Sequence, residues 1–411
     1  MRLRIWNIVA NNKLFLTLLI PAIFIRFFRL YDFATFLGDQ GRDAIIIKRI
    51  ATLEHLPAIG APSSVGGFFL GPFYYYLVAP FLLIFNFSPE GLAFGVALIY
   101  LVGIIFCFYL IKREINYPSA IFFTILFAYS GLLIDFARFS WNPNLLPLVS
   151  FLSLYFLYKT LKHKQTVIFP ALFGAFLSFS IQLHYLAIFL SIPILVILGH
   201  ELIKQKKRSS LIQKIIFSVL SFFVFSSPLL IFDLKHEFVN SRTVIRFFSE
   251  KNIVSNSSFF AKIMETNSQF YFFFFGTHLN NSLALIITIS LTAVTLMINR
   301  SKKFNLVTIN LLNFLLYIFC FSLLNTFRLV HYYGSLYLSF SLLITNLLAY
   351  FFKGKILRIF ITVFLFMYII FNVSKFKYLF GDSIRQIQNA EIVADTILKT
   401  DPKQPYQIIA T

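Results

Sequence analysis

The sequence predicts an all-α polytopic membrane protein with about eleven transmembrane helices and short interfacial helices on its outer face. Of its 411 residues 58% are apolar and only 13% are charged, against roughly 25% charged residues in soluble domains. Apolar runs of about 18 residues recur along the whole chain and do not alternate as barrel strands would. These features exclude a disordered chain, a disulfide-stapled secreted fold, a coiled coil and a transmembrane β-barrel.

The predicted spans follow the apolar runs: 14–30, 91–111, 118–134, 144–158, 167–183, 185–199, 211–232, 282–298, 305–324, 334–352 and 356–373. The run 68–87 is left out because Gly66, Gly67, Gly71, Pro72 and Pro80 interrupt helical continuity. We expect it to lie on the outer leaflet or dip into it.

The basic residues orient the chain. Its net charge of +20 is explained by the positive-inside rule rather than by nucleic-acid binding. If 68–87 does not span, the N-terminus and five basic loops all fall on the cytoplasmic side: the loops around 112–113, 159–164, 204–214, 300–303 and 353–358. The unusual polar segments then lie on the outer side: 38–43, 135–144, 182–185, the loop 233–281 and 328–333. We therefore expect a multi-pass protein of the cell membrane with an extracytoplasmic active site.

Two domains are expected, a transmembrane domain over 1–373 and an extracytoplasmic tail over 374–411. Within the outer loop 31–88, the segment GRDAIIIKRIATLEH has helical apolar spacing and is typical of an interfacial helix. The tail reads as a helix followed by the start of a strand, YQIIAT. A lone strand is not stable, so we expect the tail either to pack on the outer face or, as we prefer, to begin a longer soluble domain.

Asp39 is the first candidate for chemistry. It follows the first span closely and lies beside Gly38 and Gly41, which allow the backbone to approach a bound group. The alternative is that Asp39 only caps the interfacial helix. Asp43 shares the same helix face, either as a substrate ligand or as an ordinary acid near the helix start.

These features resemble the GT-C glycosyltransferases, in the branch of the protein O-mannosyltransferases and the aminoarabinose transferase of lipid A. The matching segments are Leu37–Gln40 and Gly71–Tyr76. Gln40 stands where the family usually has Glu. The resemblance implies sugar transfer from a polyprenyl-phosphate donor to a hydroxyl of a lipid, glycan or protein. Asp39 would be the general base, and the reaction would be inverting.

A leaving phosphate requires positive charge, and four outer residues are candidates: Arg328, His331, Arg242 and Arg138. Snorkelling into the interface is the alternative for Arg328. For substrate contacts we predict Asp43, Tyr74, Tyr75, Trp141 and His184. The alternatives are an interfacial aromatic belt for the tyrosines and the Trp, and a helix-break residue exposed at the outer surface for His184. No metal spacing is recognisable and no cofactor is predicted, although a divalent ion is compatible with the chemistry.

Two other classes compete with a transferase. A lipid or polysaccharide transporter or flippase would place charges near the middle of spans, whereas most charges here lie at span ends. A membrane scaffold would leave the Asp39 loop without a role. No nucleotide-binding motif or nucleic-acid partner is indicated.

Overall fold

The computed structural model describes residues 12–63, 66–163, 166–204, 208–249, 258–300 and 304–400. This part of the chain is helical, and within it the β-pairing is a single bridge between Pro62 and Phe69. The helices are α1 Lys13–Phe27, α2 Leu30–Phe33, α3 Gly38–Ala51, α4 Phe73–Ile84, α5 Glu90–Glu114, α6 Tyr117–Ala128, α7 Gly131–Ala137, α8 Leu146–Lys162, α9 Ile168–Leu183, α10 Ser191–Lys204, α11 Arg208–Lys235, α12 Val239–Ser249, α13 Phe259–Phe275, α14 Asn281–Ile298, α15 Leu306–Leu323, α16 Gly334–Phe351, α17 Lys355–Ser374, α18 Lys377–Phe380 and α19 Gln386–Thr400. Short 3₁₀ turns, Asn142–Leu145, Tyr185–Leu190 and Val330–Tyr333, precede α8, α10 and α16.

The predicted all-α membrane fold is confirmed, whereas the number of spans is not fixed at eleven. Eight helices in the described residues are long and apolar enough to cross a membrane, and the bent pair α6–α7 makes a ninth if it forms one span. Two further predicted spans coincide with α1, of 15 residues, and α9, of 16 residues. Such lengths are short of the roughly 20 residues that a straight span needs.

Two stretches outside the predicted spans are also helical. The run 68–87 contains α4, whose 12 residues are too few to span, as its glycines and prolines indicated. The stretch 233–281, predicted as a loop, contains the helices α12 and α13. Polar residues within α13, such as Glu265, Asn267 and Gln269, obscured its apolar character in the sequence.

Burial of the helices indicates a bundle surrounded by lipid. In the most apolar stretch of the span containing α8, 94% of the residues are buried. In the corresponding stretches of α11 and α17, only 11% and 17% of the residues are buried. Water would not tolerate so much exposed apolar helix surface, but a bilayer does. The chain is therefore a multi-pass membrane protein with α8 near its centre.

Helix α9 packs between α8 and α11. A Cβ on Gly174 of α9 would lie 2.0 Å from the Ser218 carbonyl oxygen of α11, so only glycine permits this close approach. At the other side of α8, α16 packs against α6 and α15. Through these contacts, helices that are far apart in sequence lie side by side.

The two ends of the bundle differ in chemistry. At one end, the Glu114 carboxylate binds Lys159 at 2.8 Å and Lys162 at 2.7 Å. At the other end, Arg138 donates to the carbonyl oxygens at the end of α1, and the segments predicted to be on the outer side converge. The side of the membrane on which each end lies stays a prediction.

The tail holds a helix, α19, where the sequence predicts one. It packs on α2, so the described part of the tail lies on the same end of the bundle as α3. The predicted strand at 406–411 falls outside the described residues, and the division into two domains stays a prediction.

Candidate active site

The Asp39 carboxylate does not cap helix α3. The residue at the N-cap position is Leu37, and the Gln40 side chain accepts the Leu37 backbone N–H at 3.1 Å. Gln40 also donates to the Ser140 carbonyl oxygen at 3.3 Å, which anchors the helix start on the segment before Trp141. The alternative that Asp39 is the N-cap is therefore wrong, and Gln40 has a structural role at the capping position.

Arg42 joins the two carboxylates of α3. Its Nη1 lies 2.9 Å from Asp39 Oδ1, while its Nε and Nη2 lie 3.0 and 2.7 Å from Asp43 Oδ1. The Asp39 side chain is 52% exposed and that of Asp43 only 2%. Arg42 can therefore hold the Asp39 carboxylate in one orientation through a charge-assisted hydrogen bond.

Asp43 is not the ordinary acid near a helix start that one alternative proposed. Its Oδ1 also accepts the Tyr75 hydroxyl at 2.8 Å. Burial raises the pKa of Asp43, and the Arg42 guanidinium and the Tyr75 hydroxyl oppose that rise. The buried Asp43 carboxylate thus holds the Arg42 guanidinium in place. Asp39 is the carboxylate that remains accessible.

Asp39 and Arg42 line a narrow cleft that is built from five separated stretches of chain. The remaining lining residues are Ala61, Pro62, Ser63, Leu70, Trp141, Asn142, Pro143, His184, Tyr185, His331 and Tyr332. Its cavity volume is about 30 Å³, room for roughly one water molecule. Three predicted residues, Trp141, His184 and His331, thus meet Asp39 at this cleft.

The aromatic side of the cleft is a continuous set of ring contacts. The ring of Trp141 meets that of His331 edge-on at 4.7 Å and lies parallel to that of Phe139 at 5.7 Å. His331 in turn contacts His184, with ring centroids 5.4 Å apart. His184 lies at a helix break, since its Nδ1 accepts the Leu186 N–H at 3.2 Å and caps the turn before α10. It is buried, so the alternative of an exposed helix-break residue is wrong on exposure.

Trp141 also borders a larger apolar cavity of about 590 Å³. Phenylalanines from α7, α13 and the segment 371–376 form much of its wall. Its polar lining residues include Asp135, Asn372, Lys375 and Lys377. Trp141 therefore lies between a polar cleft containing a carboxylate and an apolar cavity with two lysines at its lining.

Tyr74 and Tyr75 are buried, so neither the predicted substrate contact nor the alternative of an aromatic belt describes them. The Tyr74 hydroxyl is 2.6 Å from Ser140 Oγ, and the Tyr75 hydroxyl binds Asp43. Tyr74 and Tyr75 are 2% and 1% exposed. They hold Ser140 and Asp43, which lie next to residues that line the cleft.

The predicted phosphate-binding arginines do not converge on the cleft. Arg138 is buried, donates to the carbonyl oxygens of Ile25 and Arg26, and lies 4.1 Å over the Tyr378 ring. Arg328 donates to its own loop and covers the Phe321 ring, beside a different polar pocket. Arg242 lies exposed on α12. Of that predicted group, His331 reaches the cleft.

The sequence interpretation missed Arg42 as the cation of the cleft, although its spacing of three residues from Asp39 is the helical spacing for an ion pair. It also missed Asn240. The Asn240 side chain pairs with the backbone N–H and carbonyl of Phe69, at 2.6 and 3.1 Å, and so holds the chain next to Leu70, which lines the cleft.

Among the described residues no group of three or more His, Cys, Asp or Glu side chains could hold a metal. At the cleft, the guanidinium of Arg42 binds both carboxylates of α3 and supplies the positive charge there.

Residues 70–232 match the model of the family described as dolichyl-phosphate-mannose-protein mannosyltransferase. This range covers less than half of the chain. It includes Trp141 and His184 but begins after Asp39. No curated protein sequence matches the chain significantly.

Solved structures of similar fold cover most of the chain. ArnT from Cupriavidus metallidurans, bound to undecaprenyl phosphate, aligns with a TM-score of 0.57 and 17% identity over 83% of this chain and 60% of that one. The oligosaccharyltransferase AglB from Archaeoglobus fulgidus, in complex with an inhibitory peptide and a dolichol-phosphate, aligns with a TM-score of 0.52 and 12% identity over 96% of this chain and 61% of that one. The chain thus spans about three fifths of these proteins' length. The described part of the chain thus has the fold of ArnT and AglB, as its resemblance to the GT-C glycosyltransferases implied.

Proposed function

We propose that the chain transfers a sugar from a polyprenyl-phosphate donor to an acceptor hydroxyl, with Asp39 as the general base, on the extracytoplasmic side of the cell membrane. The observation that carries the proposal is the accessible carboxylate of Asp39, held by Arg42 at a cleft whose aromatic wall adjoins a large apolar cavity. The matching family and the lipid phosphates in ArnT and AglB support the choice of donor class.

The donor's two parts fit the two cavities. The apolar cavity of about 590 Å³ is suited to an isoprenoid chain, and Lys375 and Lys377 in its lining are suited to phosphate. The sugar would lie at Trp141, which borders both cavities. Since the cleft holds roughly one water, we expect its lining to widen when a sugar binds.

The reaction at the cleft is a single displacement. The acceptor oxygen bonds to the anomeric carbon while the bond from that carbon to the phosphate oxygen breaks. The Asp39 carboxylate takes the hydroxyl proton, and the bonding electrons leave with the polyprenyl phosphate. Arg42 and the two lysines supply positive charge toward the phosphate. The lipid phosphate leaves as a stable anion, so a strong general acid is unnecessary.

Inversion at the anomeric carbon is expected. A retaining double displacement needs a second carboxylate as nucleophile. The described lining of the cleft contains one carboxylate, Asp39, since Asp43 is buried against Arg42 and Tyr75.

The test uses the full chain in lipid nanodiscs with a panel of defined polyprenyl-phosphate sugars and isolated cell membranes as acceptor. Transfer of label and release of polyprenyl phosphate should fall about a hundredfold or more in Asp39→Asn. Asp395→Asn, an exposed acid on α19, is the matched control and should retain the parental rate. If Asp39→Asn transfers at the parental rate, Asp39 is not the base. If the parent consumes none of the donors, the proposed function is wrong.

A further inference from the structure

The segment that follows α18 returns to the stretch 32–36, which precedes Asp39 in the sequence. The Arg385 N–H donates to the Asp32 carbonyl oxygen at 3.0 Å, and the Gln388 amide donates to Asp32 Oδ1 at 3.2 Å. Gln386 Oε1 accepts the Phe36 backbone N–H at 2.8 Å. Three hydrogen bonds between segments some 350 residues apart in sequence thus join residues 385–388 to the stretch 32–36.

An apolar contact fixes the same junction. Ile387 is 1% exposed although most of α19 is exposed. It packs in a small cluster that is separate from the main core and comprises Leu30, Ala34, Ala93, Ala97 and Ile387. Helix α19 is thereby attached both to α2 and to α5.

This junction lies next to α3, the helix that carries Asp39. Residues 34–37 are not helical and form the short connection between α2 and α3, so their path sets where α3 begins. Phe36 also packs near Gly41, since its ring tip would lie 3.9 Å from a Cβ there. Gln386 satisfies the backbone N–H of Phe36, three positions before Asp39, in a stretch without helical partners.

We propose that Gln386 and Ile387 are positioning residues for Asp39: docking of residues 385–388 fixes the connection 34–37 and hence the placement of the Asp39 carboxylate at the cleft. This inference rests on the proposed function for its catalytic part, whereas the docking itself can be measured without activity. A small displacement of a catalytic group is enough to lower the rate strongly.

The kinetic test compares Gln386→Ala, Gln386→Glu and Asn389→Ala in the transfer assay described above. Gln386→Ala removes the acceptor for Phe36 and should lower kcat about tenfold, with KM and the melting temperature unchanged. Gln386→Glu keeps an acceptor oxygen and should restore kcat. Asn389→Ala changes an exposed polar residue on the same helix and should retain the parental kcat. A parental kcat in Gln386→Ala, or no rescue by Glu, overturns the proposal.

The docking test is a disulfide crosslink in membranes between Ala34→Cys and Ile387→Cys, in a background with Cys107→Ser and Cys320→Ser. These two positions share one cluster and should crosslink, while Ala34→Cys with the exposed Ile392→Cys should not. Absence of the first crosslink overturns the docking. If the crosslink forms but the parent transfers no sugar, the proposed function fails and the docking stands.

Discussion

Arg42→Ala tests the arrangement of α3 most directly. The substitution removes the three hydrogen bonds of the guanidinium, one to Asp39 and two to Asp43, and leaves Asp43 buried without a cation. Breaking a buried ion pair costs about 3–5 kcal/mol. Because the Arg42 side chain is 32% exposed, we expect the lower limit, about 3 kcal/mol.

The pH dependence of this loss has a definite sign. Burial raises the pKa of Asp43 above its ordinary value of 3.8, and removal of Arg42 raises it further. A raised pKa in the folded state means that folding binds a proton. Stability is therefore greatest below the unfolded pKa and falls as the pH rises through the folded pKa. Arg42→Ala should be closer to the parent in stability at about pH 4 than at pH 8.

The assay is thermal unfolding in detergent, followed with a thiol-reactive dye. Cys107 and Cys320 are both buried, so they react as the fold opens. We expect Arg42→Ala to melt about 5 °C below the parent. Adding Asp43→Asn to Arg42→Ala should recover part of the lost stability, because it removes the unpaired buried carboxylate. The matched control, Arg49→Ala, removes an exposed pair with Glu54 at 3.5 Å and should cost less than about 0.5 kcal/mol. Equal effects of Arg42→Ala and Arg49→Ala would refute the reasoning.

Three further predictions concern orientation, the cleft and its adjacent turn. In intact cells, an impermeant maleimide should label Asp395→Cys but not Arg113→Cys, and the reverse pattern would place the cleft on the cytosolic side. Trp141→Ala should raise KM for the donor about tenfold or more, since one aromatic contact is removed from both cavities; an unchanged KM would show that Trp141 does not contact the donor. Gly60→Ala should lower the folded yield sharply, because its Cβ would lie 2.2 Å from the Gly71 carbonyl oxygen. Gly67→Ala has free space but a φ of +69° and should cost only about 1 kcal/mol; equal yields for the two variants would contradict this.

The sequence by itself determined the all-α membrane fold, the positions of most apolar helices and the position of Asp39, but not the number of spans. These follow from local features, since the length of an apolar run decides whether a helix can span. The placement of Asp39 directly after the first span, beside two glycines, likewise needs no distant contact. The run 68–87, which contains the short helix α4, was recognisable as too broken for a straight span because Gly71, Pro72 and Pro80 lie within it.

Only the tertiary structure decided which polar residues meet. Arg138 and Arg328 carry the charge that a phosphate site needs, but the packing of α1 and α15 engages them with backbone carbonyls and aromatic rings. Tyr75 reaches Asp43, and Gln386 reaches Phe36, across long stretches of sequence. The contacts of a long polar side chain depend on the distant segments that fold beside it, and the spacing of residues along one chain holds no record of those segments.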